Sequence, residues 1–148
     1  MLLMTLLLPL CIHAQKMADG LVVKKVLIFK VPESLQTQIG VSCNDFESSF
    51  NQTSIFKTFQ LNSNNEDGNK KILALKKAFE NHKEAIYTLK MLDVRAKIYI
   101  IYENGQVDCA CIAGVNLYSY NGSNISFDSS SYEVVRQIVW GNEQKGHD

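Results

Sequence analysis

The stretch that decides the fold is Arg95-Ala-Lys-Ile-Tyr-Ile-Ile-Tyr-Glu-Asn104-Gly105-Gln-Val-Asp-Cys-Ala-Cys-Ile112. Two runs of strand-forming residues flank Asn104-Gly105, and this dipeptide predicts a hairpin because a type I′ turn needs positive φ at both central residues. A two-residue loop sets the register, with Ile100 opposite Cys109. Since side chains alternate across a strand, one face then collects six residues, and we expect it to be the core face. These are Ile98, Ile100, Tyr102, Val107, Cys109 and Cys111.

A second hairpin follows between residues 115 and 127 and again turns on Asn-Gly, at Asn121-Gly122. A two-residue loop there places four apolar side chains on a common face. They are Tyr118, Tyr120, Ile125 and Phe127. The two hairpins together predict an antiparallel meander of about four strands.

Two helices are predicted around this meander. From Glu66 to about His82, apolar residues recur at the three- and four-residue spacing of one helix face, with lysines on the rest. A second helix runs to Trp140, with Ser130 and Glu133 as a capping box and Gly141 as its C-terminal cap. Strands are expected at residues 21–31 and 54–61, and a short helix after Asn44 or Asp45. The fold class is therefore α+β, an antiparallel sheet with two helices packed on one face.

The N-terminus predicts export. Residues 1–14 contain an apolar run of about ten residues followed by Ala14, the pattern of a cleavable signal peptide. The run is too short to span a bilayer, which needs roughly twenty apolar residues. The alternative, acylation at Cys11, is disfavoured because Leu10 stands where a small residue is needed. Residues 15–148 then form a single domain, secreted or periplasmic.

Charge and motifs exclude several function classes. The chain carries 15 Lys and Arg and 15 Asp and Glu, so its net charge is zero. Nucleic acids and anionic membranes are bound mainly by excess Lys and Arg, so neither is an expected partner. No phosphate loop, paired carboxylates or nucleophile beside a histidine is visible, and we expect no cofactor and no metal. The oligomeric state stays open.

The cysteines leave three possibilities. Cys109 and Cys111 lie at i and i+2 on a strand, about 7 Å apart at Cα, which is beyond comfortable disulfide geometry. They are therefore buried apolar thiols, or one of them bridges to Cys43, or they take part in metal or redox chemistry. With three cysteines in the mature chain, at most one internal bridge can form.

Two functions are weighed for this domain. The first is a non-enzymatic exported module that binds a protein partner, such as an inhibitor or immunity-type protein, through Tyr99 and Asp108. The second is a small hydrolase whose site includes Asp108 and His82. Asp108 is expected opposite Ile101 as a solvent-facing or edge charge, and His82 as a favourable partner of a helix C-terminus.

Two segments resemble known families. Gln36-Thr-Gln-Ile-Gly40 is similar to the glutamine-to-glycine wedge of cystatin-type protease inhibitors, although Gln38 stands where that wedge has an aliphatic residue. The second resemblance lies in a layout: a signal that ends in Ala14-Gln15, a strand that ends at Pro32, a Lys-rich helix, and then the run from Asp93 to Asp108. This layout resembles small exported proteins of gram-negative bacteria that have no assigned activity. This second resemblance covers about half of the chain and implies a periplasmic or secreted location.

Overall fold

The protein is built on one antiparallel sheet. The computed structural model describes residues 20–84, 93–113 and 117–141, and these contain seven strands and three helices. The strands are β1 (Val23–Lys30), β2 (Lys57–Asn62), β3 (His82–Glu84), β4 (Val94–Tyr102), β5 (Val107–Ala113), β6 (Leu117–Tyr120) and β7 (Ser123–Phe127). The helices are α1 (Phe46–Phe50), α2 (Glu66–Glu80) and α3 (Ser129–Trp140). The sheet order is β2-β1-β4-β5-β6-β7-β3. The predicted α+β class and the meander β4 to β7 are confirmed.

The register of the first hairpin differs from the prediction. Ile100 pairs with Asp108 and Tyr99 pairs with Cys109. The loop has three residues, Glu103–Gly105: the Tyr102 N–H donates to the Gln106 carbonyl at 2.9 Å, and Gly105 has φ +86°. A three-residue loop with glycine in the left-handed region is the next most common hairpin solution. The predicted two-residue loop is wrong by one residue.

The one additional loop residue reverses which side chains of β5 point to each face of the sheet, because side chains alternate along a strand. Ala110 and Ile112 turn into the main core and are fully buried. Cys109 and Cys111, predicted for the core face, lie on the other side of the sheet, and Val107 is 51% exposed. Asp108, predicted as a surface charge, is only 4% exposed. In this register Ile112 is fully buried in the main core, and burial of an isoleucine side chain contributes about 1.5–3 kcal/mol.

The second hairpin has the predicted register. Tyr120 pairs with Ser123, and the loop residues Asn121 and Gly122 both have positive φ, +46° and +87°. This is the type I′ geometry that Asn-Gly favours. The four side chains expected on one face are all buried in the main core: Tyr118, Tyr120, Ile125 and Phe127.

Helices α2 and α3 cover the face of the sheet that carries the main core, which we call the helix face. Its buried residues include Val26, Ile28, Ile72, Leu75, Phe79, Ile98, Ile100, Val135 and Val139.

α2 begins after the cap residue Asn65, whose side chain accepts the Gly68 N–H, and it ends at Glu80 rather than His82. α3 is capped by Asp128, whose carboxylate accepts the Ser131 N–H at 2.7 Å. The predicted cap at Ser130 is therefore wrong, because Asp128 supplies a stronger acceptor two residues earlier, while Gly141 is the C-terminal cap as expected.

The opposite face, which we call the loop face, carries α1 and the chain between β1 and β2. A smaller core forms there from Val31, Phe46, Phe50, Val94, Cys111 and Ala113. A register shift between Val94 and Ala96 allows Val94 to join this core while Ala96 joins the main one. Such a bulge re-aims side chains locally, and here it also buries Arg95.

The predicted signal peptide, residues 1–14, lies outside the described residues, as does the chain after Gly141. Within the described ranges no helix has both the length and the apolar character needed to cross a membrane.

Gly68 is required where α2 starts close to the end of β2. A Cβ at this position would overlap the Asn62 carbonyl oxygen and lie 2.8 Å from Asn65 Oδ1. Gly→Ala inside a helix normally stabilises by about 1 kcal/mol. Here we expect Gly68→Ala to lower the free energy of unfolding by about 1–3 kcal/mol, the usual range for overpacking, in urea denaturation. Asn69→Ala, at the next and exposed position, is the control and should not lower the free energy of unfolding. If both variants lowered it equally, the close approach of Gly68 to the Asn62 carbonyl would be contradicted.

Candidate functional site

The most exposed apolar side chain among the described residues lies in the connection between β1 and α1. We call residues 33–43 of this connection the braced loop. Ile39 lies at its tip and is 78% exposed, between the exposed Gln38 and the partly buried Gly40. On either side of the tip, Leu35, Val41 and Cys43 are partly buried against the smaller core. The loop thus presents one branched apolar side chain while its flanks remain attached to the sheet.

Asp93 and Arg95 hold the two sides of the braced loop together. The Asp93 carboxylate accepts the Val41 N–H at 3.1 Å and the Thr37 hydroxyl at 3.3 Å. The Arg95 guanidinium pairs with Asp93 and donates from Nε to the Leu35 carbonyl at 2.8 Å. A rigid, planar guanidinium suits such a multiple contact. One ion pair therefore fixes both the approach to the tip and the return from it.

Burial alone would raise the pKa of Asp93, but the Arg95 guanidinium, the Val41 N–H and the Thr37 hydroxyl outweigh it and hold that pKa below its usual value. The ionised carboxylate is therefore the form that braces the loop.

The ends of the braced loop have further attachments. At its start, Glu33 pairs with Arg136 of α3 at 2.9 Å and accepts the Tyr132 hydroxyl at 3.1 Å. At its end, the sulfur atoms of Cys43 and Cys111 are at bonding distance, with their Cα atoms 5.7 Å apart. This Cα separation is the usual one for a disulfide. The loop is thereby linked to α3 at one end and to β5 at the other.

The three cysteines of the described chain converge behind this loop. The sulfur atoms of Cys43, Cys109 and Cys111 all lie within 4.8 Å of one another, and Cys109 carries a free thiol. Burial raises the pKa of the Cys109 thiol, while the nearby Lys97 ammonium acts in the opposite direction. If the bridge were reduced, three thiolates at this spacing would suit a soft ion such as Zn²⁺ or Cu⁺. With the bridge formed, Cys109 alone can act as a thiol.

Tyr99 lies beside this sulfur cluster, on the loop face. Its hydroxyl donates to the Glu47 carboxylate, and its ring packs edge-on against Phe29 with centroids 5.7 Å apart. Lys97 Nζ lies 3.1 Å from Glu47 Oε1 and 5.2 Å from the Tyr99 ring centroid. The Tyr99 hydroxyl, and then Lys97, hold the pKa of Glu47 below its usual value. Tyr99 is thus engaged inside the fold and does not form a flat exposed surface.

Asp108 lies on the helix face, with its carboxylate saturated by donors. The hydroxyls of Tyr102 and Tyr120 each donate to Oδ2 at 2.7 Å, and the Asn121 amide donates to Oδ1 at 3.0 Å. Burial and the Asp108 carboxylate both raise the pKa of Tyr102 and of Tyr120, so these phenols stay protonated donors. Asn121 also exchanges two hydrogen bonds of 2.8 Å with the backbone of Cys109. These hydrogen bonds around Asp108 link the ends of the two hairpins.

The structure does not bring the predicted site residues together. Asp108 and Tyr99 face opposite sides of the sheet. His82 begins β3, and β6 and β7 separate that strand from β5, so three strand spacings of about 4.8 Å lie between Asp108 and His82. A surface groove of about 500 Å³ between α2 and α3 is lined by neither Asp108 nor Tyr99.

Sequence reasoning included Ile39 in the segment similar to an inhibitor wedge but did not single it out, and it missed Asp93 with Arg95 as its support. A signal was present: a branched apolar residue next to glycine inside a polar segment bounded by Pro32 and Cys43. Comparison of the chain with family models, curated proteins and solved structures finds no match.

The bracing by Asp93 has a testable pH dependence. A carboxyl group whose pKa is lowered in the folded state adds stability above its unfolded pKa of 3.8, and this stability is lost as pH falls through the folded pKa. We expect the Val41 amide proton shift to titrate with a midpoint below 3.8, measured by NMR. Asp93→Asn should abolish that titration. The bracing role would be contradicted if the Val41 amide proton shift did not change with pH, or if it still titrated in Asp93→Asn.

Asp108 should be a major contributor to stability. Asp108→Ala leaves two buried hydroxyls without their acceptor, and each unsatisfied group costs about 1–3 kcal/mol. We expect the free energy of unfolding to fall accordingly in denaturant titration. In a Tyr102→Phe, Tyr120→Phe background, the same change should have a much smaller effect, because no hydroxyl remains to be stranded. Equal losses in both backgrounds would exclude this hydrogen-bonded group as the cause.

Proposed function

We propose that this chain is an exported, non-enzymatic binding module, of the inhibitor or immunity type, and that the braced loop inserts Ile39 into an apolar pocket of a protein partner. The observation that carries the proposal is the combination of an exposed tip with attached flanks. Ile39 is the most exposed large apolar residue of the described chain, whereas the residues on both sides of it are hydrogen-bonded or bridged.

Preorganisation explains why this arrangement suits binding. Ordering a flexible backbone costs about 1–2 kcal/mol per residue, and a loop that is ordered before binding avoids that loss on association. Full burial of an isoleucine side chain contributes about 1.5–3 kcal/mol. The Asp93–Arg95 pair and the Cys43–Cys111 bridge hold the free loop in one conformation. Most of the gain from burying Ile39 is then available as affinity.

The surroundings of Ile39 favour a protein as the partner. The neighbouring Gln36 and Gln38 are exposed and uncharged, so an apolar anchor is ringed by polar groups, as in protein–protein hot spots. The chain as a whole has no net charge, which gives no electrostatic attraction to nucleic acid or to an anionic membrane. Export is supported by the sequence of residues 1–14 and is consistent with a disulfide, which persists in oxidising compartments.

The hydrolase alternative has no comparable support. The Asp108 carboxylate is buried and accepts from two phenols, the Asn121 amide and, at 3.5 Å, the Gln106 amide, so each of its four lone-pair sites has a donor. A general acid or base must reach the proton that it transfers. Asp108 is buried, and two strands lie between its strand and that of His82. Neither fact favours a role in acid–base catalysis.

The test compares three immobilised proteins as baits for the exported proteins of the native host. They are the wild type, Ile39→Asp, and Val107→Asp as a matched control at another exposed β-branched residue, 51% exposed. We expect one partner to bind the wild type and the control, and its affinity for Ile39→Asp to fall by at least about 100-fold, equivalent to about 2.7 kcal/mol. Isothermal titration with the purified partner gives the affinities.

Thermal unfolding followed by circular dichroism must show that Ile39→Asp is folded, as expected for a side chain in solvent. A partner that binds Ile39→Asp as tightly as the wild type would refute the role of the braced loop.

A further inference from the structure

The sulfur cluster places a free thiol next to a disulfide. The Cys109 sulfur lies within 4.8 Å of both sulfurs of the Cys43–Cys111 bridge. Cys109 is half-buried, whereas Cys111 is fully buried. Thiol–disulfide exchange requires a thiolate that can reach a disulfide sulfur, and it needs no external oxidant or reductant.

We propose that Cys109 is the nucleophile of an internal thiol–disulfide exchange that moves the bridge of Cys43 from Cys111 to Cys109. The Cys109 thiol first loses its proton to solvent, and its thiolate attacks the Cys43 sulfur. A bond forms between Cys109 and Cys43 while the bond between Cys43 and Cys111 breaks. The electron pair of that bond leaves on Cys111, which then takes a proton. Two isomers of equal oxidation state are thus connected.

Geometry allows only one productive direction of attack. Attack on Cys111 would join two residues at i and i+2 of one strand, whose Cα atoms are about 6.8 Å apart, at the limit of disulfide geometry. Attack on Cys43 instead joins neighbouring chain segments, since Cys43 lies on the loop side of the cluster and already bonds into β5. Cys43 is therefore shared by both isomers.

The charged groups around Cys109 set when the exchange occurs. Burial raises the pKa of its thiol first of all; the Lys97 ammonium acts against this, and the Glu47 and Asp108 carboxylates reinforce it. Tyr99, the cross-strand partner of Cys109, is neutral, and its hydroxyl donates a hydrogen bond to Glu47. The thiolate is thus scarce near neutral pH, and exchange accelerates as pH rises.

The product isomer fits the same core. Cys111 lies in the smaller core with Val31, Phe46 and Val94, and a buried cysteine behaves as a small hydrophobe. The tether of the loop moves by two residues along β5, about 6.8 Å at most. This inference concerns the chemistry of the sulfur cluster and does not rest on the proposed function.

The test locates the free thiol among Cys43, Cys109 and Cys111 at different pH values. Oxidised wild-type protein is held without added thiol at about pH 7 and about pH 9, quenched in acid, unfolded in denaturant so that buried thiols are accessible, and labelled with a maleimide. Fragment ions that separate Cys109 from Cys111 place the label. We expect Cys109 to be labelled at the start and a growing share of label on Cys111, about tenfold faster per pH unit below the thiol pKa. The rate should not depend on protein concentration.

Three variants make the assignment specific. Cys111→Ser, oxidised with glutathione disulfide, should form the Cys43–Cys109 bridge and leave neither of these two thiols free. Cys43→Ser should keep both remaining thiols free, and Cys109→Ser should take no label on Cys111 at any pH. The proposal is overturned by label confined to Cys109 after long incubation, by label on Cys43, or by a concentration-dependent rate. It is also overturned if Cys43 and Cys109 both stay free in Cys111→Ser.

Discussion

The three-residue loop Glu103–Gly105 is the constraint on which the rest of the structure depends, because it decides which side chains of β5 face the helices. The loop turns Ala110 and Ile112 into the main core and Cys109 and Cys111 toward the braced loop. It also forces a carboxylate, Asp108, into that core. The strand is stable in this register because Tyr102 and Tyr120 supply hydroxyl donors at 2.7 Å, so the buried charge is hydrogen-bonded rather than stranded.

One strand therefore serves two different parts of the molecule. The helix face is a conventional apolar core, closed by the amphipathic helices α2 and α3. The loop face is smaller, and its cohesion comes from several kinds of contact: the aromatic rings of Phe46 and Phe50, the Cys43–Cys111 bridge and the Asp93–Arg95 pair. The bulge beside Val94 connects the two, since it allows successive residues of β4 to serve both cores. A rigid sheet with a small second core is a suitable base for a loop that must hold its shape.

The sequence predicts the secondary structure better than the side-chain environment. Local signals located both hairpins, α2 and α3, because Asn-Gly turns and helical periodicity act over a few residues. The two-residue loop at Asn104 was wrong because the choice between two and three residues depends on which register buries more, a property of the whole sheet. The predicted N-terminal cap of α3 at Ser130 was also wrong, because Asp128 is the stronger acceptor. The support of Ile39 by Asp93 joins residues more than fifty positions apart, and no local pattern encodes it.

The last turn of α3 carries the single tryptophan of the chain, Trp140. Its ring is buried, and its indole N–H donates to the Val31 carbonyl at 2.9 Å, one residue before Pro32 and the start of the braced loop. The one indole chromophore therefore lies where the C-terminal helix meets the base of the loop. Its emission wavelength depends on the polarity and hydrogen bonding around the ring. The protein consequently carries an intrinsic optical reporter of that junction, which needs no added label.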